Sequence, residues 1–76
     1  MTLTVKPEHV VDARYMEPPE PFVATIEMLD RLQEGEQMLL LLFREPHPLY
    51  RVLRQNGHCY ESELKPDGTF EIRITR

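Results

Sequence analysis

The spacing of apolar residues changes along the chain, and each change marks a new element. Four apolar residues recur at intervals of three and four positions, the period of one helical stripe: Phe22, Ile26, Leu29 and Leu32. This stripe predicts a first helix over residues 21–34. Pro21 suits the first turn of that helix, where its missing N–H group has no helical partner. Gly35 follows the last apolar residue and suits a left-handed cap.

A segment at residues 37–44 follows, and its residues 38–43 form a continuous apolar run. It is too short for a stable helix, and it is bounded by Gly35 and Pro46. Such a run is typical of a strand that is central in its sheet or covered on both faces. A shorter β-like segment at residues 9–13, with two adjacent valines, precedes the first helix.

The remaining segments predict a second helix and a hairpin. Residues 48–56 form the helix, and Gly57 follows it. Its apolar face consists of Leu49, Val52 and Leu53. Two β-like segments, residues 58–64 and 69–75, flank a Lys-Pro-Asp-Gly sequence. Proline fixes φ and glycine accepts positive φ, so this sequence predicts a tight turn between two antiparallel strands.

The predicted element order is therefore βαβαββ. Four strands and two helices of these lengths make an α+β fold, a two-layer sandwich with a four-stranded mixed sheet and both helices on one face. The chain has 76 residues, so we predict a single domain over residues 1–76. A chain of this size buries only about 60% of its unfolded surface, so any site is expected on the surface or in a shallow groove.

Charge and cysteine content narrow the function classes. The net charge of −4 argues against nucleic acid as a partner, because phosphates favour a basic surface. The one cysteine, Cys59, permits no internal disulfide and fits a reducing cytoplasm. No signal peptide is apparent at the N-terminus, and the apolar run at residues 38–43 is too short to cross a bilayer. We expect a cytoplasmic monomer with no membrane association.

Two short motifs and the element order resemble a known family. Val-Asp-Ala-Arg at residues 11–14 ends the first predicted strand, and Pro-Glu-Pro at residues 19–21 opens the first helix. Gly35-Glu36 precedes the second strand. These features resemble the TusA family, also called SirA-like proteins, which are small βαβαββ domains that carry sulfur as a cysteine persulfide. Their signature is an aspartate at a strand end followed by Cys-Pro-x-Pro. The resemblance covers nearly the whole chain and is strongest over residues 11–21.

The resemblance places the sulfur-carrying cysteine at position 18, where this sequence has Pro18. A helix N-terminus lowers a thiol pKa through its free N–H groups and partial positive charge. Proline supplies neither a nucleophile nor an N–H donor, and Glu17 and Glu20 add negative charge beside it. The chain thus resembles a cysteine-less branch of the family whose function is not established. We therefore do not expect an enzyme.

A second proline-rich motif, Glu-Pro-His-Pro-Leu-Tyr at residues 45–50, precedes the second helix. It resembles a motif of that same branch. If both helices start at one end of the sheet, the two motifs could approach each other. The predicted binding residues are Glu17, Pro18, Pro19, Glu20, Glu45 and His47. Carboxylates with an imidazole suit metal binding or acid–base chemistry, but no helical ligand spacing is present. We therefore predict no metal site, no cofactor and no catalytic residue.

Each candidate also has a purely structural explanation. Glu17 and Glu20 complement the dipole of the first helix and can accept its free N–H groups. His47 is then an exposed residue between two prolines. Cys59 is expected to be an inert or half-buried thiol, and His58 points to the opposite face of the strand, so it would not activate that thiol.

Three functions follow as hypotheses. The first is a non-catalytic binding or interaction module that uses the groove between the helix starts to bind a protein. That partner would belong to sulfur, redox or metal metabolism. The second is a sulfur-transfer or redox-related carrier that uses Cys59. The third is a small metal or ligand binder that uses His47 with nearby glutamates. RNA binding is disfavoured by the acidic charge. We favour the first.

Overall fold

The computed structural model describes residues 5–76 and shows the predicted order of elements. A short 3-10 turn at Pro7–His9 precedes them. The helices and strands are β1 (Val10–Asp12), α1 (Glu20–Arg31), β2 (Gln37–Leu42), α2 (His47–Gln55), β3 (Cys59–Leu64) and β4 (Phe70–Thr75). Residues 1–4 of the predicted domain lie outside the described residues. No helix within residues 5–76 is long and apolar enough to cross a membrane.

The sheet has the order β1-β2-β4-β3. β1 and β2 are parallel and are joined through α1, because a parallel pair needs a long crossover connection. β2 and β4 are antiparallel, and so are β4 and β3. The predicted hairpin is therefore confirmed. Its turn is closed by the amide of Lys65, which donates to the carbonyl of Thr69 over 2.8 Å, and Gly68 has the expected positive φ of 91°. The mixed sheet confirms the α+β prediction.

The apolar run occupies the second position of the sheet, between β1 and β4. Its alternate residues Met38, Leu40 and Leu42 are buried in the core. Leu39 and Leu41 are half-buried and point to the face that carries no helix. The prediction that this run is a central strand is therefore correct. The alternative, a strand covered on both faces of the sheet, is wrong.

The core is a single cluster on one face of the sheet. Both helices contribute to it together with alternate residues of β2 and β4, so both helices pack on the same face as predicted. The fully buried side chains that contribute most volume are Met38, Leu40, Leu53, Ile72, Ile74 and Thr25. Thr25 is polar, but its hydroxyl donates to the carbonyl of Pro21 over 2.8 Å, so this buried hydroxyl is satisfied within its own helix.

The buried stripe of α1 differs from the predicted one. It consists of Thr25, Met28 and Leu29, and it continues past the helix end to Leu32. Phe22, which we placed at the start of the stripe, is 41% exposed. None of residues 14–24 is buried. The first turn of α1 therefore lies beyond the edge of the core, which is why an apolar residue there meets solvent.

α1 also ends three residues earlier than predicted, at Arg31. Its last carbonyls are capped from the far end of the chain. Nη1 of Arg76 donates to the carbonyls of Leu29 (2.8 Å) and Leu32 (2.7 Å), while the carbonyl of Arg76 accepts from the amide of Gly35 (2.8 Å). A cation at a helix C-terminus satisfies carbonyls that have no helical partner. Arg76 is therefore a structural residue, and the helix needs no glycine cap.

The two faces of β2 give a test of the fold. We expect Leu40→Ala to lower the free energy of unfolding by roughly 2–5 kcal/mol, because it leaves a cavity in the core. Leu41→Ala should lower the free energy of unfolding clearly less, because Leu41 lies half-buried on the face of the sheet that carries no helix, which we call the open face. Urea unfolding of both variants measures the difference. Equal losses in the two variants would contradict the assignment of the faces.

Candidate functional site

β1 ends in a tight carboxylate–guanidinium pair. Arg14 donates from Nε to Oδ1 of Asp12 (2.9 Å) and from Nη2 to Oδ2 (2.8 Å). The backbone amide of Arg14 donates to Oδ1 as well (3.2 Å). These hydrogen bonds lower the pKa of Asp12 to about 2, and they raise the pKa of Arg14. The pair fixes the direction in which the chain leaves β1, so this part of the family motif has a structural role.

The proline-rich segment then turns the chain into α1. The amide of Glu20 donates to the carbonyl of Glu17 over 2.8 Å, and the amide of Val23 donates to the carbonyl of Pro19 over 3.0 Å. The peptide bond between Pro18 and Pro19 is cis. The side chain of the N-cap residue, Pro19, makes no capping hydrogen bond. Glu17 and Glu20 are exposed, and neither carboxylate makes a hydrogen bond within residues 5–76. The expectation that they accept free N–H groups of α1 is therefore not met.

The second proline-rich segment, before α2, forms a polar network. Glu45 Oε2 accepts from the hydroxyl of Tyr50 (3.1 Å) and from the hydroxyl of Ser62 on β3 (3.3 Å). Nε2 of His47 lies 3.6 Å from Glu45 Oε1. Burial raises the pKa of Tyr50, and the hydrogen bond to Glu45 acts in the same direction. Glu45 therefore connects α2 to the edge strand β3.

Aromatic stacking strengthens this connection. The rings of Tyr50 and Tyr60 stack in parallel with centroids 4.4 Å apart, and His47 meets the Tyr50 ring edge-on at 5.7 Å. Nη1 of Arg54 donates to the Tyr60 hydroxyl over 2.6 Å. The two tyrosines are thus packing residues. Sequence reasoning missed that they stack on each other, because the contact joins residues of two elements.

The two proline-rich segments are neighbours in space, but the candidate acids of the first are not bonded to the candidate residues of the second within residues 5–76. β1 and β2 are parallel, so both segments leave the same end of the sheet. Tyr15 and Phe43, which follow these strands, meet edge-to-face with centroids 5.5 Å apart. Within residues 5–76, neither Glu17 nor Glu20 forms a hydrogen bond or an ion pair with Glu45 or His47. The same residues contain no group of three or more His, Cys, Asp or Glu that could hold a metal ion.

Among residues 5–76, most of the exposed large apolar side chains lie at this end of the molecule. Of the seven large apolar side chains that are exposed within residues 5–76, five lie here, and we call them the corner patch: Tyr15, Met16, Phe22, Val23 and Phe43. Tyr15 is 82% exposed and the others are 37–48% exposed. Sequence reasoning missed this patch, because Phe22 fits the helical period of the apolar stripe in α1 and was therefore placed in the core.

Cys59 lies at the start of β3 and is exposed. It pairs in register with Thr75, on the face of the sheet that carries no helix. The expectation of a half-buried thiol is therefore wrong, because β3 is an edge strand and nothing within the described residues covers its outer face.

The model of a family described as "Uncharacterized conserved protein (DUF2249)" matches residues 10–76. The chain belongs to this family. A crystal structure of a SirA-like protein from Desulfitobacterium hafniense is similar, with a TM-score of 0.78 and 22% sequence identity. The match covers 87% of this chain and 93% of that one. No curated protein matches.

These similarities confirm the resemblance to SirA-like proteins and the fold that it implies. At 22% identity the structural match shows the fold alone, and the family description gives no activity. The function of this chain must therefore be argued from its own residues.

The pair at the end of β1 gives a prediction for pH dependence. We expect Asp12 to titrate near pH 2 in the native protein and, in Arg14→Gln, to move up toward its ordinary value of 3.8. A lowered folded-state pKa means that the native state binds fewer protons than the unfolded state. The stabilisation is therefore complete above the unfolded pKa and is lost as the pH falls through about 2.

Carbon NMR of the Asp12 carboxyl measures this titration. Arg44→Gln is the matched control, because Arg44 is exposed and forms no ion pair within the described residues. An Asp12 pKa that is the same in Arg14→Gln and in Arg44→Gln would contradict the assigned cause.

Proposed function

We propose that this chain is a non-catalytic interaction module that binds a protein partner through the corner patch. The observation that carries the proposal is the concentration of exposed apolar side chains at one end of the sheet. Single exposed apolar residues are normal on soluble proteins, whereas clusters of them mark contact surfaces. Tyrosine, phenylalanine and methionine are also the residue types that are enriched at protein interfaces.

The corner patch is held in place by local structure. The Asp12–Arg14 pair fixes the chain before Tyr15, and the ring of Phe43 supports the ring of Tyr15 from the neighbouring strand. The prolines that follow restrict φ in the segment leading into α1. A surface that is already ordered loses less conformational entropy on binding, so more of the contact energy appears as affinity.

The absence of a nucleophile at position 18 supports a binding role over catalysis. Pro18 is exposed and has no group that could carry sulfur. The residues beside it that could act chemically, Glu17 and Glu20, have no acid or base partner among the described residues. The remaining candidates, Glu45 and His47, are engaged in the network that joins α2 to β3.

The exposure of Cys59 favours one alternative. An accessible thiol on an edge strand could take part in sulfur transfer or redox chemistry. Cys59 lies on β3, which is not one of the strands that lead into the proline-rich segments. The Cys59→Ser variant therefore separates the two functions, because an interaction through the corner patch does not need the thiol.

The interaction is tested by capture from extract of the source cells with immobilised protein. We expect one saturable partner to be retained by the native chain and by Cys59→Ser, and to be lost with the double variant Tyr15→Ser, Phe43→Ser. The matched control is Leu64→Ser, which removes a side chain that is 60% exposed on β3.

Each result decides between the functions. A partner that is lost with Leu64→Ser as readily as with the double variant would contradict the corner patch as the contact surface. A partner that is lost with Cys59→Ser and retained by the double variant would favour the thiol. Circular dichroism confirms that every variant is folded.

A further inference from the structure

Acidic side chains accompany the corner patch. Glu17 and Glu20 lie between Met16 and Phe22 in the chain, and Glu27 follows Val23 by one turn of α1. All three carboxylates are exposed, and none has a basic partner within 4 Å among residues 5–76. Exposed acids without a cation leave a local negative potential that attracts a partner of opposite charge.

The acidic residues on the open face of the sheet differ from these three, because they have basic partners. Glu61 is paired with Arg73 over 2.9 Å. Lys65 lies 3.3 Å from Glu63 and 3.7 Å from Glu71. The shallow groove on that face is lined largely by these same residues. Each of its three carboxylates therefore has a basic partner, whereas those beside the corner patch have none among residues 5–76.

Two of these acids share one outer surface of α1 with Val23. Glu20, Val23 and Glu27 are spaced at i, i+3 and i+7, so they follow one outer stripe of the helix. Val23 thus lies between two carboxylates. Arg44, next to Phe43, is an exposed cation at this end of the sheet that forms no ion pair within the described residues. Even with Arg44 included, acids outnumber unpaired arginines here.

We propose that the occupant of the corner patch is a basic amphipathic segment of a partner protein. Its apolar side chains would pack on Tyr15, Phe22 and Phe43, and its lysines or arginines would face Glu17, Glu20 and Glu27. This inference rests on the proposed function and adds the chemistry of the partner. Apolar contacts supply most of the affinity of such a complex, and charge complementarity supplies rate and specificity.

Charge also disfavours the other occupants. Unpaired carboxylates around an apolar patch repel the phosphates of nucleic acids and of anionic membranes. A second copy of this chain carries the same net charge of −4, so self-association brings two acidic proteins together. A basic protein segment is the occupant that satisfies the apolar and the acidic residues at once.

The test uses two matched synthetic peptides as probes. Both are helical, with leucine and phenylalanine on one face; the polar face carries lysine in one peptide and glutamate in the other. Each is titrated into the nitrogen-15-labelled full chain and followed by amide NMR shifts. We expect the lysine peptide to shift amides at residues 15–23 and at Phe43, with an affinity that falls as salt is raised. We expect no binding of the glutamate peptide.

Neutral variants measure the contribution of charge. The double variant Glu17→Gln, Glu27→Gln should bind the lysine peptide about fivefold more weakly, which is the loss expected for two exposed ion pairs. The control, Glu8→Gln with Glu34→Gln, changes the net charge equally at two exposed acids away from the corner patch. We expect less than about a twofold effect there, because screening limits distant exposed charges.

Several outcomes overturn the inference. An equal loss of affinity for the lysine peptide in both double variants would show that the peptide is attracted to the acidic protein in general. No binding, or shifts confined to another surface, would exclude a basic segment as the occupant. Equal binding of both peptides at the corner patch would leave the proposed function intact and remove the basic partner. Binding of phosphatidylserine vesicles in place of the peptide, or a dimer by sedimentation that Tyr15→Ser dissociates, would assign the patch to a membrane or to a second copy.

Discussion

Met38, Leu40 and Leu42 project from β2 into the core, where they form one cluster with Leu29 of α1 and Leu53 of α2. Because side chains alternate along a strand, this burial fixes which face of the sheet the helices cover. β2 also pairs in parallel with β1, so the chain leaves both strands at the same end of the sheet. The position of both proline-rich segments thus follows from the packing of a single strand.

The two segments use that common position differently. After β2, Glu45 and His47 join a network of hydrogen bonds and stacked rings that holds α2 against β3. After β1, an ion pair and three prolines turn the chain and leave Tyr15, Met16 and Phe22 on the surface. One segment therefore consolidates the fold, and the other exposes apolar side chains beside unpaired acids.

The element order was predictable because proline and glycine separate segments with clear helical or strand periods. The exposure of single residues was not predictable from the sequence. Phe22 fits the helical period of α1, yet it is exposed because the first turn of α1 extends past the core. The end of α1 depends on Arg76, which is distant in sequence. Of the candidate site, the sequence indicated both proline-rich segments. It did not separate Glu45 and His47 from Glu17 and Glu20, because the network around Glu45 includes Ser62, which belongs to another element.

The central claim is that the surface around Tyr15 is where a partner binds. Photo-crosslinking in the source cells tests it most directly, with Tyr15 replaced by a light-activated phenylalanine analogue and the same analogue at Leu64 as the comparison, since both side chains are exposed. The account predicts a discrete crosslinked partner from position 15 and none from position 64. The same adduct from both positions, or from position 64 alone, would contradict it.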